Sequence, residues 1–305
     1  MIIRPTQNWF RMLFVWNGSV LQTIIPQLLF MGALSSLAVF THGRIFGEKI
    51  PLNPAPFTLF GVALALFLGF RNSASYARFI EGRLLWGNLL ISTRTLTSQV
   101  RCYLHENIDE AERVRLAYAL IALVYALKHQ LRRTDPMPDL RRLLGDERAD
   151  ALRGKFYKPV AILNDIRGAL AAIHGCRPPD TASWMFDAQI NDMEKTVGGC
   201  ERIASTPIPF AYSVLLHRTV YAYCILLPFG LVDSTVSFTP MICVVISYTL
   251  IALEAIANEV AEPFGLAPNA LALDAMTRTI ERSILEMCGL EIPEELAPVD
   301  LYRLT

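Results

Sequence analysis

Charge is scarce in this sequence. Asp, Glu, Lys and Arg make up 18% of its 305 residues, where soluble domains carry about 25%. Apolar residues make up 53%, the mean hydropathy is +0.36, and the surplus sits in a few long runs, so an integral membrane protein is expected. Cysteine is sparse too. The six cysteines (Cys102, Cys176, Cys200, Cys224, Cys243, Cys288) include no CxxC pair, which speaks against a zinc site or a disulfide framework and leaves buried thiols. No glycine-rich phosphate loop, HExxH or nucleophile elbow occurs, so the common enzyme signatures are missing. His42, His105, His129 and His174 have no carboxylate or cysteine at ligand spacing, so neither a metal centre nor a cofactor is expected. Only His217 falls inside an apolar run, which removes the facing histidine pair that a membrane haem needs. Strand patterns of useful length are absent, and the fold class read from the chain is all-α. Met1 to Asn17 mixes Arg4 and Arg11 with aromatics and offers no small-residue cleavage site, so no signal peptide is expected.

What is present is organised around residues 57–103. The stretch opens as a nearly pure apolar helix, Phe57 to Phe70, and continues without a breaker into Arg71, Asn72, Ser73, Arg78, Glu81 and Arg83. No proline lies between Pro56 and Pro136, so one long helix passing from apolar to charged surroundings is the simplest reading. Its apolar part, residues 57–70, is roughly 21 Å long, short of the roughly 30 Å that a lipid-facing span needs. Such a helix is expected to be wrapped by others, which is where a pore lining would sit.

Around it the chain divides into four parts. Residues 1–70 supply an interfacial segment (Pro5 to Ser19, with Trp9 and Trp16 beside Arg4 and Arg11), a first span (Val20 to Val39) and the apolar helix. Residues 71–206 form a helical domain. Within it, Asn107 or Asp109 caps a helix whose twelve-residue apolar core, Leu116 to Leu127, is too short to span and reads as buried in a soluble domain. Further helices are expected near 140–152, 156–173 and 184–204. Residues 207–257 carry the third span (Ile208 to Val232), a tight outer turn (Asp233 to Ser237) and the fourth span (Phe238 to Ala257). Residues 258–305 hold a last helix near Leu271 to Cys288 and a polar tail. Of the 28 Lys and Arg, 20 fall between Arg71 and Arg202, whereas the outer loops carry only Arg44 and Lys49. The positive-inside rule therefore puts both termini and the helical domain in the cytoplasm of a multi-pass inner-membrane protein.

Val62, Leu66 and Phe70 recur at i, i+4 and i+8 and share one helix face. Most such stripes pack against a neighbouring helix. The sharper alternative is a pore lining, in which each residue becomes a ring in an assembly of identical subunits and the three rings gate by dewetting. Gly61 and Gly69 would let neighbouring helices approach closely. His217 and Arg218 lie within the third span, where an ionisable side chain marks function or a tether between helices. Arg218 comes nearly level with Glu254 of the antiparallel fourth span, and an Arg218–Glu254 contact is expected.

The apolar helix ending Phe67-Leu68-Gly69-Phe70, followed by Arg78-x-x-Glu81-Gly82-Arg83-x-x-Trp86-Gly87, resembles the bestrophin family in its bacterial branch. Cys200-Glu201-Arg202-Ile203-x-x-Thr206-Pro207-Ile208-Pro209-Phe210-x-Tyr212 and Glu262-Pro263-Phe264-Gly265 with Asn269 and Asp274 add to the likeness. The resemblance implies a ring-shaped homopentameric ion channel with four membrane helices per subunit and a cytoplasmic helical domain through which the pore continues. It places a neck of three apolar rings on Val62, Leu66 and Phe70, and a lower constriction near Thr181 and Ala182. Animal members hold calcium on an acidic run after the Pro-Phe-Gly turn. Here Leu266 to Asp274 contains one acid, and calcium wants six to eight oxygens, so the calcium clasp is expected to be absent.

An apolar neck does not choose ion sign. Arg71, if it faces the lumen, favours anions; if it turns away to a carboxylate, Asn72, Ser73 and Glu81 leave a neutral or acidic wall. With the bacterial resemblance, the reading leans to monovalent cations. Expected partners are monovalent ions, the lipid bilayer and further copies of the chain, with no nucleic acid. A secondary transporter would show internal repeats or matching broken spans, and none is found; a membrane-anchored interaction scaffold is the other alternative.

Overall fold

The structure, a computed structural model, describes residues 1–3, 8–45, 48–49, 54–104, 108–173, 181–299 and 302–305, with backbone alone at 45, 48, 49, 54, 181 and 182. Its helices are α1 (Trp9–Met12), α2 (Leu21–Phe40), α3 (Pro54–Tyr103), α4 (Glu110–Arg132), α5 (Met137–Leu144), α6 (Asp146–Arg153), α7 (Lys158–Ile173), α8 (Thr181–Ser205), α9 (Phe210–Thr235), α10 (Thr239–Ala261) and α11 (Leu273–Met287). Two short strands, β1 (Arg44–Ile45) and β2 (Glu48–Lys49), pair antiparallel in the segment expected to be a loop. The chain resolves into two compact units. One comprises Arg4–Phe79 and Pro207–Glu262; the other comprises Met1–Ile3, Ile80–Thr206 and Pro263–Thr305.

The first unit is apolar inside and out. Ile24 and Met31 of α2, Leu64 and Leu68 of α3, Val220, Cys224 and Leu227 of α9, and Cys243 and Ile251 of α10 form one buried cluster. Leu29, Phe30 and Leu37 of α2 and Met241 and Val245 of α10 remain exposed. Large apolar side chains on both faces are what a helix immersed in lipid presents. Leu21–Phe40, Ala55–Tyr103 and the stretch Phe210–Ala261, which contains both α9 and α10, are long and apolar enough to cross a membrane. Pro26 and Pro228 sit inside α2 and α9, as helices packed among other helices tolerate. Between α9 and α10 the chain reverses through a 3-10 turn, Val236–Phe238, with Val236 at φ 40°. The reversal therefore comes slightly later than the polar residues Asp233 to Ser237 imply. Among its described residues the N-terminal segment is helical over Trp9–Met12, and Trp9, Phe10, Leu13 and Phe14 are all exposed.

The second unit is built on α4. Asp109 caps it by accepting the Glu112 N–H at 2.8 Å, and from Leu116 to Lys128 nearly every residue is buried. A helix hydrophobic all round must be surrounded, and α5, α7, α8 and α11 pack on it. Arg133 ends it in the left-handed region, φ 55°. The helix expected near 140–152 is split by Gly145, whose φ of 79° is open to glycine at little cost, giving α5 and α6. Within this unit the chain ends meet: Ile2 bridges Arg303, and Arg303 donates to the Leu266 carbonyl at 2.9 Å.

Candidate functional site

In the first unit, α3 presents its two faces to different surroundings. Leu64 and Leu68 point into the buried cluster, at 3% and 0% exposure, whereas Val62, Leu66 and Phe70 stand out at 64%, 57% and 64%. The i, i+4 spacing thus yields a continuous apolar stripe that the subunit's own fold leaves uncovered. The two glycines of this helix differ. A Cβ at Gly61 would lie 2.6 Å from the Tyr223 hydroxyl, so the absence of a side chain lets that ring pack, alongside Phe57 and Phe60. A Cβ at Gly69 would meet nothing within 4 Å among the described residues beyond the helix's own backbone. Beside the stripe, Phe60, Phe67, Phe70, Pro209, Tyr212 and Leu215 line an apolar groove of about 650 Å³.

One residue past the stripe the chemistry changes. Arg71 turns inward, its side chain only 6% exposed, and its Nη1 lies 3.8 Å from Glu254 Oε1. Its Nη2 donates to Ser213 Oγ at 3.1 Å and to Asn258 Oδ1, while Nε and Nη1 make no hydrogen bond. The same Glu254 oxygen lies 2.9 Å from His217 Nδ1, and the His217 ring sits 4.4 Å from that of Tyr221. Glu254 is therefore buried between two basic side chains, an arrangement that makes burial of its charge tolerable. The Arg218–Glu254 contact does not form: Arg218 is exposed. Consecutive helical residues point about 100° apart, so only one of His217 and Arg218 can face α10, and it is the histidine.

Asn72 donates back to the Leu68 carbonyl at 3.0 Å, and Ser73 is exposed. In the second unit Glu81 pairs with Arg202. Thr181 and Ala182 open α8, but their side chains lie outside the described residues. Ser213 and Asn258 were not singled out from the sequence. They lie four residues from His217 and Glu254 respectively, and that helical spacing is the signal that would have found them.

In the second unit Asp274 lies 3.1 Å from Lys128 Nζ and 2.5 Å from Arg132 Nη1. Burial opposes its ionisation, but Arg132 and Lys128 outweigh that and hold the carboxyl below its ordinary range. Among the described residues no three His, Cys, Asp or Glu side chains converge as metal ligands would.

Residues 1–286 match the family model of the Bacterial/Fungal Bestrophin protein. The chain is a bestrophin. It is 41% identical, over 95% of either chain, to a voltage-dependent anion channel-forming protein of Ralstonia nicotianae. A protein of the same name from Escherichia coli K12 is also 41% identical, over the full length of both. The crystal structure of a bacterial bestrophin homolog from Klebsiella pneumoniae superposes with a TM-score of 0.84 at 42% identity, covering 88% of this chain and 99% of that one. The bestrophin resemblance seen in the Arg78–Gly87 and Glu262–Gly265 motifs thus extends along nearly the whole chain.

Proposed function

We propose that this bestrophin is the subunit of a homopentameric ion channel in the inner membrane. Each subunit crosses four times, through α2, the apolar part of α3, α9 and α10, and residues 71–206 and both termini are cytoplasmic. Val62, Leu66 and Phe70 form three apolar rings around the pore, and a lower constriction lies near Thr181 and Ala182. The observation that carries this reading is the uncovered stripe on α3: residues as apolar as the core, exposed at 57–64%, beside Gly69, where a Cβ would meet nothing within 4 Å among the described residues. Apolar rings of this kind control water entry and so conduction.

The relatives are named for anion channels. In this chain the arginine nearest the neck is buried against Glu254, which leaves Asn72 and Ser73 beneath the stripe. That supports passive conduction of monovalent cations. The test is the reversal potential of purified protein in planar bilayers under a salt gradient. A value near the cation Nernst potential supports the proposal, and a value near the anion potential reverses the sign. A silent protein argues against a channel.

A further inference from the structure

Two basic groups bear on one oxygen. Glu254 Oε1 takes the His217 Nδ1 contact at 2.9 Å and the Arg71 Nη1 contact at 3.8 Å. Building on the channel reading above, we propose that Glu254 sets the sign of the permeant ion by holding the Arg71 guanidinium inside the subunit, with His217 as a proton-operated competitor for that hold.

The hold is asymmetric. Arg71 uses only Nη2 for hydrogen bonds, to Ser213 and Asn258, and its Nε and Nη1 are unbonded. The neutral oxygens of Ser213 and Asn258 do not balance a guanidinium charge; Glu254 does. Without it, Arg71 would be a buried cation with no counter-charge, a state too costly to persist. Arginine cannot escape by losing its proton. What is open to it is rotation about its long stem, which starts one residue after Phe70 and so about 100° around the helix from the stripe. Five guanidinium groups released beside the neck would make a cationic ring of the kind that favours anions.

His217 supplies the second way to release it. With a neutral imidazole, Arg71 and Glu254 sum to zero charge. A proton on His217, whose side chain is 59% exposed, raises the cluster to +1 in a low-dielectric setting that resists net charge. The looser of the two contacts on the shared oxygen, that of Arg71, is the one to break. Among the described residues, the groups facing Glu254 are few. Helix α3 contributes Arg71, α9 contributes His217, Tyr221 and Cys224, and α10 contributes Asn258. Helix α2 carries no ionisable side chain between Leu21 and Phe40.

The experiment measures reversal potentials of the full-length protein in planar bilayers under a KCl gradient, for wild type, Glu254→Gln, Arg71→Gln with Glu254→Gln, and His217→Gln. Recordings are made at about pH 7.5 and about pH 5.5. Glu254→Gln is expected to shift the permeability ratio severalfold toward anions, and the double variant to return it to the wild-type value. Acidification shifts wild type in the same direction and leaves His217→Gln unmoved. A Glu254→Gln ratio equal to wild type, a double variant that keeps the shift, or an acid shift that survives in His217→Gln would overturn the proposal. Should Glu254→Gln fail to assemble, the comparison of wild type with His217→Gln across pH decides it. A silent wild type would overturn the channel reading and this proposal with it. A conducting wild type whose ratio ignores both Glu254 and pH overturns this proposal alone.

Discussion

The Tyr125 hydroxyl donates to Glu281 Oε2 at 2.6 Å, in a part of the second unit where Glu281 is only 1% exposed. Arg142 Nη1 holds the other carboxylate oxygen at 2.6 Å, and Arg278 lies 3.2 Å from Oε2. Burial, followed by the hydrogen bond to Glu281, pushes the Tyr125 phenol well above its ordinary value. Hydrogen bonds to charged partners are worth about 1.5–3 kcal/mol, so Tyr125→Phe is expected to lower stability by about that amount. Glu281→Ala, which removes the acceptor of the Tyr125 hydroxyl together with a carboxylate shared by Arg142 and Arg278, should lower stability more than Tyr125→Phe does. Thermal unfolding in detergent, followed by size exclusion, reads both; equal melting of all three proteins would refute the network's structural role.

Leu66 is the middle member of the exposed stripe on α3. Truncating an apolar ring widens the constriction and lets water enter. Leu66→Ala is expected to raise single-channel conductance in planar bilayers while leaving the thermal stability of the subunit close to wild type, because the side chain is 57% exposed. Unchanged conductance would remove Leu66 from the proposed neck.

The two glycines of α3 separate fold from assembly. Gly61→Val would drive a side chain into the Tyr223 hydroxyl, an overpacking that costs about 1–3 kcal/mol, and should lower the melting temperature. At Gly69 a Cβ meets nothing within 4 Å among the described residues, so Gly69→Leu starts into open space. Its expected effect is on assembly, read by light scattering as a loss of the proposed pentamer with subunit stability kept. If Gly69→Leu assembles normally, no neighbouring helix comes close at that point.

Asp274 makes stability pH-dependent in a defined direction. Its carboxyl is held below the ordinary value of about 3.9, so the folded state binds fewer protons there than the unfolded one. That contribution is present above the ordinary value and is lost as pH falls through the lower, folded one. The melting temperature should drop more steeply below about pH 4 in wild type than in Asp274→Asn. Because Lys128 and Arg132 already occupy this carboxylate, adding a calcium chelator is expected to leave conductance unchanged. A conductance that tracks calcium would place a cation site elsewhere in the chain.

Local pattern made much of this molecule legible in advance. The boundaries of α2 and α3 follow from apolar runs and prolines, α10 runs on past the expected Ala257 to Ala261, and α4 was identifiable as a buried helix because twelve apolar residues cannot span a bilayer. The exposure of Val62, Leu66 and Phe70 follows from the same period that buries Leu64 and Leu68. What periodicity does not carry is rotation between helices. Levelling Arg218 with Glu254 gave the right height and the wrong face, since His217 at nearly the same height is turned about 100° away. The inward turn of Arg71 belongs to the same class: Ser213 and Asn258, which receive it, lie 142 and 187 residues further along. Gly145 and Val236 shifted element ends through backbone conformation that side-chain hydropathy does not register.

The second unit is assembled from three separated pieces of chain, and this sets an order on its biosynthesis. Tyr125 and Glu281 are 156 residues apart. At a translation rate of about 5–20 residues per second, roughly 8–30 s pass between their appearance. Throughout that interval α4 has left the ribosome without the helix that supplies its carboxylate, while the intervening segment Phe210–Ala261 is being handed to the membrane. The nascent α4 therefore needs shelter, from its neighbours α5, α7 and α8 or from a chaperone, until α11 arrives to complete its surroundings.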